Sequence, residues 1–421
     1  MASRIAAPRG TRDLLPQEAA AWDHVEGVAR DLAARYAFDR IDTPLFESVS
    51  LFARGLGESS DAVEKEMFRV SGAAGSDEAR SEWALRPEPT AGIVRAYLEH
   101  GLHVRPGPLR LWLLGPMFRY DRPQAGRYRA FTQWDVEVIG DAGPMVDAEL
   151  LQLALHFYAD VGVRDVVAHL NSIGDAVCRP AYREALIAYF SEHESRLSAD
   201  SRRRLRVNPL RVLDDKELDP ELAAGAPTSL DHLCEPCRAH FAAVRELADA
   251  LELRYVIDHR LVRGLDYYTR TTFELFVAGR EGQQQALGGG GRYDGLVEQL
   301  GGRPTPGIGF GIGLDRTVIA AAEQGVSPPP GLPLVAIVSA EPAGPLDRLR
   351  AATALRAAGL RVRPDGSDRK LGRQLESAAK NGARWAVILG ATAGERIALR
   401  DLDSGEQKEL MLDEVAGAVG S

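Results

Sequence analysis

Three consecutive prolines, Pro328 to Pro330, stand inside the stretch GVSPPPGLP, Gly325 to Pro333. Each proline fixes its own φ and lacks an amide donor, so neither a helix nor a central strand can run through them. The chain is therefore divided at 326–331, and residues 1–325 and 332–421 are expected to fold around separate cores. A chain of 421 residues exceeds one ordinary core in any case.

Beyond the linker the pattern is compact. LVAIVS reads as a strand, Gly344 to Ala358 as a helix, LRVRPD as a second strand, Lys370 to Asn381 as a helix and WAVILG as a third strand. IALRDL and QKELML read as a terminal hairpin. Strands alternating with helices predict a small α/β domain with a mainly parallel sheet. Basic and acidic side chains nearly balance there, unlike in the acidic remainder, which is compatible with RNA contact.

Before the linker, Pro16 and Glu18 read as the first turn of a helix to about Tyr36, with Trp22, Val25, Val28, Ala29 and Leu32 at helical spacing. Asp39 to Glu47 looks extended, with Pro44 marking an edge or interface. Leu109 to Phe118 and Tyr128 to Ile139 are strand-like, joined by the basic loop Arg119 to Arg127. Asp147 reads as the cap of a helix to Tyr158. From about 174 to 253 the chain turns helical and polar, and this segment reads as an insertion. Strand character returns at Leu261 with LVRGLDYYTRTTFELFV. No internal repeat is found.

Three cysteines exclude a disulfide scaffold and fit a reducing compartment. Met1 to Leu15 lacks the apolar run of a secretory signal, and no stretch approaches the roughly 20 apolar residues of a membrane helix. A cytoplasmic location is expected. A net charge of −9 argues against indiscriminate nucleic-acid binding but leaves room for a specific RNA partner.

Five segments carry chemistry. The loop between the two strands holds Arg119, Arg122, Arg127 and Arg129, and arginine suits bidentate phosphate contact. On the returning strand Phe131, Gln133, Asp135 and Glu137 share one face by alternation, an aromatic plate beside an amide and carboxylates. A solvated basic hairpin is the plain alternative. In LRPEPT, Glu88 and Thr90 point the same way if extended and suit an ammonium group, against the alternative of a proline-rich turn. RGLDYY, Arg263 to Tyr268, offers an arginine and two tyrosines for phosphate and a polar ring, or is a surface strand using tyrosine for β propensity. In GGGGRYDGL, Gly288 to Leu296, four glycines permit close backbone approach to a ligand, although a flexible loop explains them as well. Finally, GIGFGIG alternates glycine with apolar residues before Leu314–Asp315–Arg316 opens a helix.

In this order and spacing the segments resemble the class II aminoacyl-tRNA synthetases. The Pro44 segment resembles their motif 1, FRYDRPQAGRYRAFTQ motif 2 and GFGIGLDR motif 3. LVRGLDYY and GGGGRYDG resemble the two peptides private to the histidine-specific branch. NSIGD, NPLRVLDDK and the C-terminal domain, similar to an anticodon-binding domain, extend the resemblance from about Arg9 to the end.

The resemblance implies an α+β fold: a six-stranded antiparallel catalytic sheet with a helical insertion, plus the C-terminal α/β domain. It implies activation of L-histidine by ATP, with Mg²⁺ carried on the phosphates, and transfer of the histidyl group to tRNA(His) by a homodimer. Glu88, Pro89, Thr90 and Gln133 would surround the substrate's α-amino group. Glu137 and Tyr268 would read the imidazole nitrogens, with Tyr267 nearby. Arg119 and Arg263 would hold the α-phosphate, Arg127 and Arg316 the distal phosphates, and Phe131 would stack on adenine.

Four residues depart from the family pattern without removing a needed group. Pro89 stands where glycine is common, Trp134–Asp135 where smaller residues are frequent, and Asp315 in place of a glutamate. His232, Cys234, Cys237 and His240 have ligand chemistry, but a helix would spread them over more than one face, and no metal site is assigned to them. The competing reading is a catalytically inactive, synthetase-like regulatory subunit of histidine biosynthesis. Retention of RGLDYY, motif 2 and the C-terminal domain speaks against it.

Overall fold

The computed structural model describes residues 5–57, 63, 65–72, 82–213, 215, 217–263, 265, 267–280, 285–340, 344–392 and 396–419. Gly264 and Asp266 of RGLDYY, and Asp214 and Lys216 of NPLRVLDDK, lie outside the described residues. The chain divides into two compact units, before and after the Pro328–Pro329 bond.

The strands of the first unit are β1 (Asp39–Arg40), β2 (Phe46–Ser48), β3 (Arg69–Val70), β4 (Trp83–Leu85), β5 (Leu109–Phe118), β6 (Ala130–Ile139), β7 (Val166–Ser172), β8 (Tyr255–Ile257), β9 (Thr269–Val277), β10 (Gly288–Arg292) and β11 (Gly307–Gly313). Strands β2, β4 and β3 form a small sheet. The large sheet runs β1-β5-β6-β11-β10-β9-β7-β8. From β5 to β7 every pairing is antiparallel, and short parallel strands, β1 and β8, extend the two edges. The expected six-stranded antiparallel sheet is thus the centre of a wider one.

Alternation sorts the two faces of this sheet. Trp134, Val136 and Val138 of β6, Phe273 and Leu275 of β9, and Phe310 and Ile312 of β11 turn to one side. There they meet Trp22 and Leu32 of the Pro16–Arg35 helix, Leu150 and Phe157 of the Pro144–Val161 helix and Ala320 of the Leu314–Glu323 helix. A second core, with Phe52, Ile93, Leu111, Leu113 and Tyr293, lies among residues of the other face.

Four sequence expectations change. Asp147 does not cap its helix: the helix starts at Pro144, and Asp147 lies inside the first turn with no side-chain exposure. There it binds the equally buried Arg292, which approaches to 2.6 Å, and His240 Nε2 at 3.1 Å. A carboxylate four residues into a helix looks like an N-terminal signal in sequence, and only the tertiary partner tells otherwise. The described residues of RGLDYY, Arg263, Leu265, Tyr267 and Tyr268, precede β9 and do not form part of a strand. The Gly288–Gly291 run is not a flexible loop but most of β10, hydrogen-bonded on both sides.

The fourth change concerns the helical region. The Arg179–Glu192, Ala199–Val207 and Pro220–Ala224 helices have their own small core of Tyr182, Leu186, Phe190, Leu205 and Leu222. The Glu235–Ala250 helix instead inserts Phe241 and Val244 into the main core. The last helix of that region therefore packs with the sheet's own layer.

In the second unit β12 (Leu334–Ser339) lies between β13 (Arg361–Pro364) and β14 (Ala383–Leu389), parallel to both. The hairpin β15 (Ile397–Asp401) and β16 (Gln407–Leu410) adds two antiparallel strands beside β14. The sheet is accordingly mixed. Pro345–Ala357 and Leu371–Lys380 are its longer helices.

Candidate active site

The open face of the large sheet holds a cleft, and its construction begins with glycine. In the β6–β11 ladder Gln133, Asp135 and Glu137 stand opposite Gly313, Gly311 and Gly309. Gly311 and Gly309 in turn pair with Gly289 and Gly291 of β10. The polar side chains of β6 therefore lie across a floor without side chains. A Cβ on Gly311 would stand 1.9 Å from Gln133 Nε2, and one on Gly289 would stand 2.8 Å from an Arg263 guanidinium nitrogen. Trp134 and Val136 point into the core behind, as alternation requires.

Around this floor the structure brings together Glu88, Pro89, Thr90, Arg119, Arg127, Phe131, Gln133, Glu137, Arg263, Tyr267, Tyr268 and Arg316. Glu88 accepts the Thr90 and Ala91 amides at 2.9 and 3.0 Å, which fixes its carboxylate at the start of the Thr90–Glu99 helix. Thr90 Oγ1 donates to Glu137 Oε1 at 2.6 Å, and the Tyr293 hydroxyl donates to Glu137 Oε2 at 2.6 Å. Both carboxyl oxygens are thus held while each keeps a free lone pair.

Burial drives the electrostatics of this end. It pushes Glu137 up to about 8, against the opposing Thr90 and Tyr293 hydrogen bonds. Burial likewise raises Glu88, and raises Asp135 further because Glu137 is near. Tyr267 and Tyr268, rings 4.6 Å apart, are held neutral by burial.

The other end is cationic. Arg119 donates to the Pro87 carbonyl at 2.8 Å and lies 5.4 Å from the Phe131 ring centre. Arg316 donates to the Gly126 and Ala286 carbonyls. Burial, then the neighbouring Arg127 and Arg119, lower its pKa from the ordinary guanidinium value. Burial also opposes the charge of Arg263, but Tyr268 and Glu274 more than offset it and hold that pKa above the ordinary value. Arg127 is paired with Asp121 and Arg263 with Glu274. Asp315 accepts the Thr132 amide at 3.1 Å and is ion-paired with Arg12 at 3.4 Å, so the shorter acid ties the helix start to β6.

Not every loop arginine belongs here. Arg129 turns away to Arg9, Asp121 and the Tyr120 ring, and Arg122 is not part of the lining. Tyr293 and Glu274 do line the cleft and were not assigned. Tyr293 follows the glycine strand directly, a signal that sequence reading had in hand.

A sequence model of histidyl-tRNA synthetases matches residues 10–317, and one of anticodon-binding domains matches residues 335–421. The histidine–tRNA ligase of Desulforudis audaxviator is 47% identical over 418 residues, covering 98% of this chain and 97% of that protein. This chain belongs to the histidyl-tRNA synthetase family. Among further relatives, the histidine–tRNA ligase of Moorella thermoacetica is 46% identical over 96% of the chain and 95% of its own length. The apo structure of the Staphylococcus aureus histidyl-tRNA synthetase superposes with a TM-score of 0.79 at 33% identity, covering 99% of this chain and all of that one.

The synthetase chain does not gather His232, Cys234, Cys237 and His240 at one point. His240 is bound to Asp147, and the His232 ring lies 5.6 Å from that of Tyr182. Cys234 and Cys237 turn instead to Cys178 and Asp175. Among the described residues no helix is long and apolar enough to cross a membrane.

Proposed function

We propose that the chain is a histidine–tRNA ligase that forms histidyl-adenylate in the glycine-floored cleft and transfers the histidyl group to tRNA(His). One observation carries the reading: a carboxylate held by Thr90 and Tyr293 faces buried tyrosines at one end of a trough whose other end is lined by arginines.

In the first step an oxygen of the histidine carboxylate attacks the α-phosphorus of ATP. A carboxylate–phosphorus bond forms, the bond to the bridging oxygen breaks, and pyrophosphate leaves. Glu88, Thr90 and Gln133, with Pro89 stiffening the loop, hold the α-ammonium group. Glu137 and Tyr268, supported by Tyr267, satisfy the two ring nitrogens. Any other amino acid would leave these buried polar groups unpaired, a strong source of discrimination. Arg119 and Arg263 neutralise the α-phosphate from two sides, Arg127 and Arg316 hold the distal phosphates, and Phe131 stacks on adenine. No protein nucleophile is required; orientation and charge stabilisation suffice. Mg²⁺ carried with ATP would screen the phosphate charge, and Glu274, a lining carboxylate beside Arg263, would help hold it.

In the second step a terminal ribose hydroxyl of tRNA attacks the adenylate carbonyl, loses its proton, and AMP departs. The second unit would bind the anticodon, and the segment around Pro44 would form a two-fold dimer interface in the cytoplasm. The regulatory-subunit reading is not favoured, because relatives 46–47% identical over nearly the whole chain are ligases. Charging of histidine tRNA with labelled amino acids tests the proposal: histidine should be esterified and the other amino acids should not.

A further inference from the structure

Among the described residues, one cluster of chemistry-bearing side chains apart from the cleft has ligand atoms gathered closely enough to hold a metal ion. We propose that Asp175, Cys178, Cys234 and Cys237 bind a structural zinc ion that fastens the start of the helical region to the start of its last helix.

The ligand atoms of these four residues all lie within 4.8 Å of one another. Cys178 Sγ is 3.6 Å from Cys234 Sγ, and Asp175 Oδ1 is 3.3 Å from the first and 3.8 Å from the second. The edges of a tetrahedron around zinc, with bonds of about 2.0 to 2.3 Å, are roughly 3.5 to 3.8 Å long. Three of the ligand atoms, on Asp175, Cys178 and Cys234, therefore already stand about one such edge apart, and Cys237 Sγ lies within 4.8 Å of each of them. Three sulfurs and one carboxylate select a thiophilic ion that accepts fourfold coordination, and disfavour calcium or magnesium, which need more oxygens.

The sequence supplies the ligands as two pairs with the same spacing, Asp175 with Cys178 and Cys234 with Cys237. Cys178 is the residue before the Arg179–Glu192 helix, and Cys234 the residue before the Glu235–Ala250 helix. Gly174, at φ +65°, makes the turn tight: a Cβ there would stand 2.6 Å from Cys178 Sγ. Arg270 approaches Asp175 to 3.8 Å and offsets part of the excess negative charge of such a site. A disulfide is the poorer account, because it would use two of the chain's three cysteines and leave the third facing it.

The clamp closes a loop of some 59 residues, which removes entropy from the unfolded chain. It also adjoins the cleft. Arg179, next to Cys178, donates to the Tyr268 carbonyl, so the ion would help hold the peptide that carries the tyrosines.

The full-length chain, purified anaerobically with reductant from zinc-supplemented cells, tests this by elemental analysis. Stoichiometric zinc is expected, lost in Cys234→Ser and kept in Asp175→Cys. Titration of cobalt into the zinc-stripped wild-type chain gives an independent reading that needs no variant to fold. It should yield sulfur-to-cobalt charge transfer and the visible bands of a tetrahedral ion. Zinc removal should also lower the melting temperature. A folded wild-type chain that is metal-free and gives no cobalt spectrum would overturn the proposal. So would zinc retained by Cys234→Ser, or a Cys178–Cys234 disulfide in the anaerobic preparation.

Discussion

Gly309 and Glu137 face each other across the β6–β11 ladder so closely that a Cβ on the glycine would stand 1.8 Å from Glu137 Oε2. The carboxylate lies flat over the neighbouring strand, and its direction is set by Thr90 and Tyr293. Gly309→Ala must push the carboxylate out of this seat or part the strands. The expected result is a KM for histidine raised at least about 10-fold, with the KM for ATP changed far less. The fold should survive with a loss of about 1–3 kcal/mol, the range for overpacking. Pyrophosphate exchange at varied histidine, together with thermal melting, checks both numbers.

Glu137 also sets a pH dependence. Its folded pKa, about 8, lies above its ordinary value of 4.5 because it is buried. Between these two values the unfolded chain has released a proton that the folded chain keeps, so this group's contribution to stability declines as pH rises and is gone above about 8. Glu137→Gln removes the group and should flatten that decline, with the variant gaining on wild type by a few kcal/mol on the order-of-magnitude scale at high pH. The same variant should lose roughly 100-fold in kcat/KM for histidine, since an amide matches a ring nitrogen less well. Melting temperatures of both proteins from pH 5 to about 9 decide the first part; a parallel decline in the variant would contradict it.

Tyr268 stands in direct contact with Arg263, whose guanidinium carbon is 5.6 Å from its ring centre. Tyr268→Phe deletes a buried hydroxyl without changing the packing of Tyr267 beside it. Histidine activation should fall about 10- to 100-fold in kcat/KM, equivalent to roughly 1.4–2.7 kcal/mol. An unchanged value for histidine would remove this residue from the ring-reading pair.

Arg292 and Asp147 form a fully buried ion pair. Arg292→Met leaves the carboxylate without its charged partner and should cost about 3–5 kcal/mol in denaturant unfolding. Adding Asp147→Leu to the same chain should restore part of that loss, because two apolar side chains leave no unpaired charge. Failure of the double variant to recover would show that the Arg292 contacts to the Asp141 and Gly143 carbonyls dominate.

These residues also show what was legible beforehand. β5 and β6 were visible because an apolar run and an alternating apolar run stand on either side of a basic loop. The shared face of Phe131, Gln133, Asp135 and Glu137 followed from period two alone. The role of Asp147 did not, since its partner lies 145 residues away and a helix-start acid looks the same with or without it. Arg263 to Tyr268 read as strand because tyrosine and leucine favour strands, whereas β9 begins only at Thr269. The glycines of β10 read equally well as loop, and only β9 and β11 on either side turn them into a floor. Cys234 and Cys237 have ligand chemistry in the sequence, but Asp175 and Cys178, with the same spacing, lie far upstream, 59 residues separating Asp175 from Cys234, and only folding brings the two pairs together.

The most direct test of the account is ATP–pyrophosphate exchange with each amino acid supplied in turn. The cleft geometry predicts exchange with histidine alone, and loss of most of it in Arg263→His, where the imidazole cannot replace the guanidinium between Glu274 and Tyr268. A folded chain that shows no exchange with histidine, or exchange of equal size with another amino acid, would contradict the assignment of this cleft.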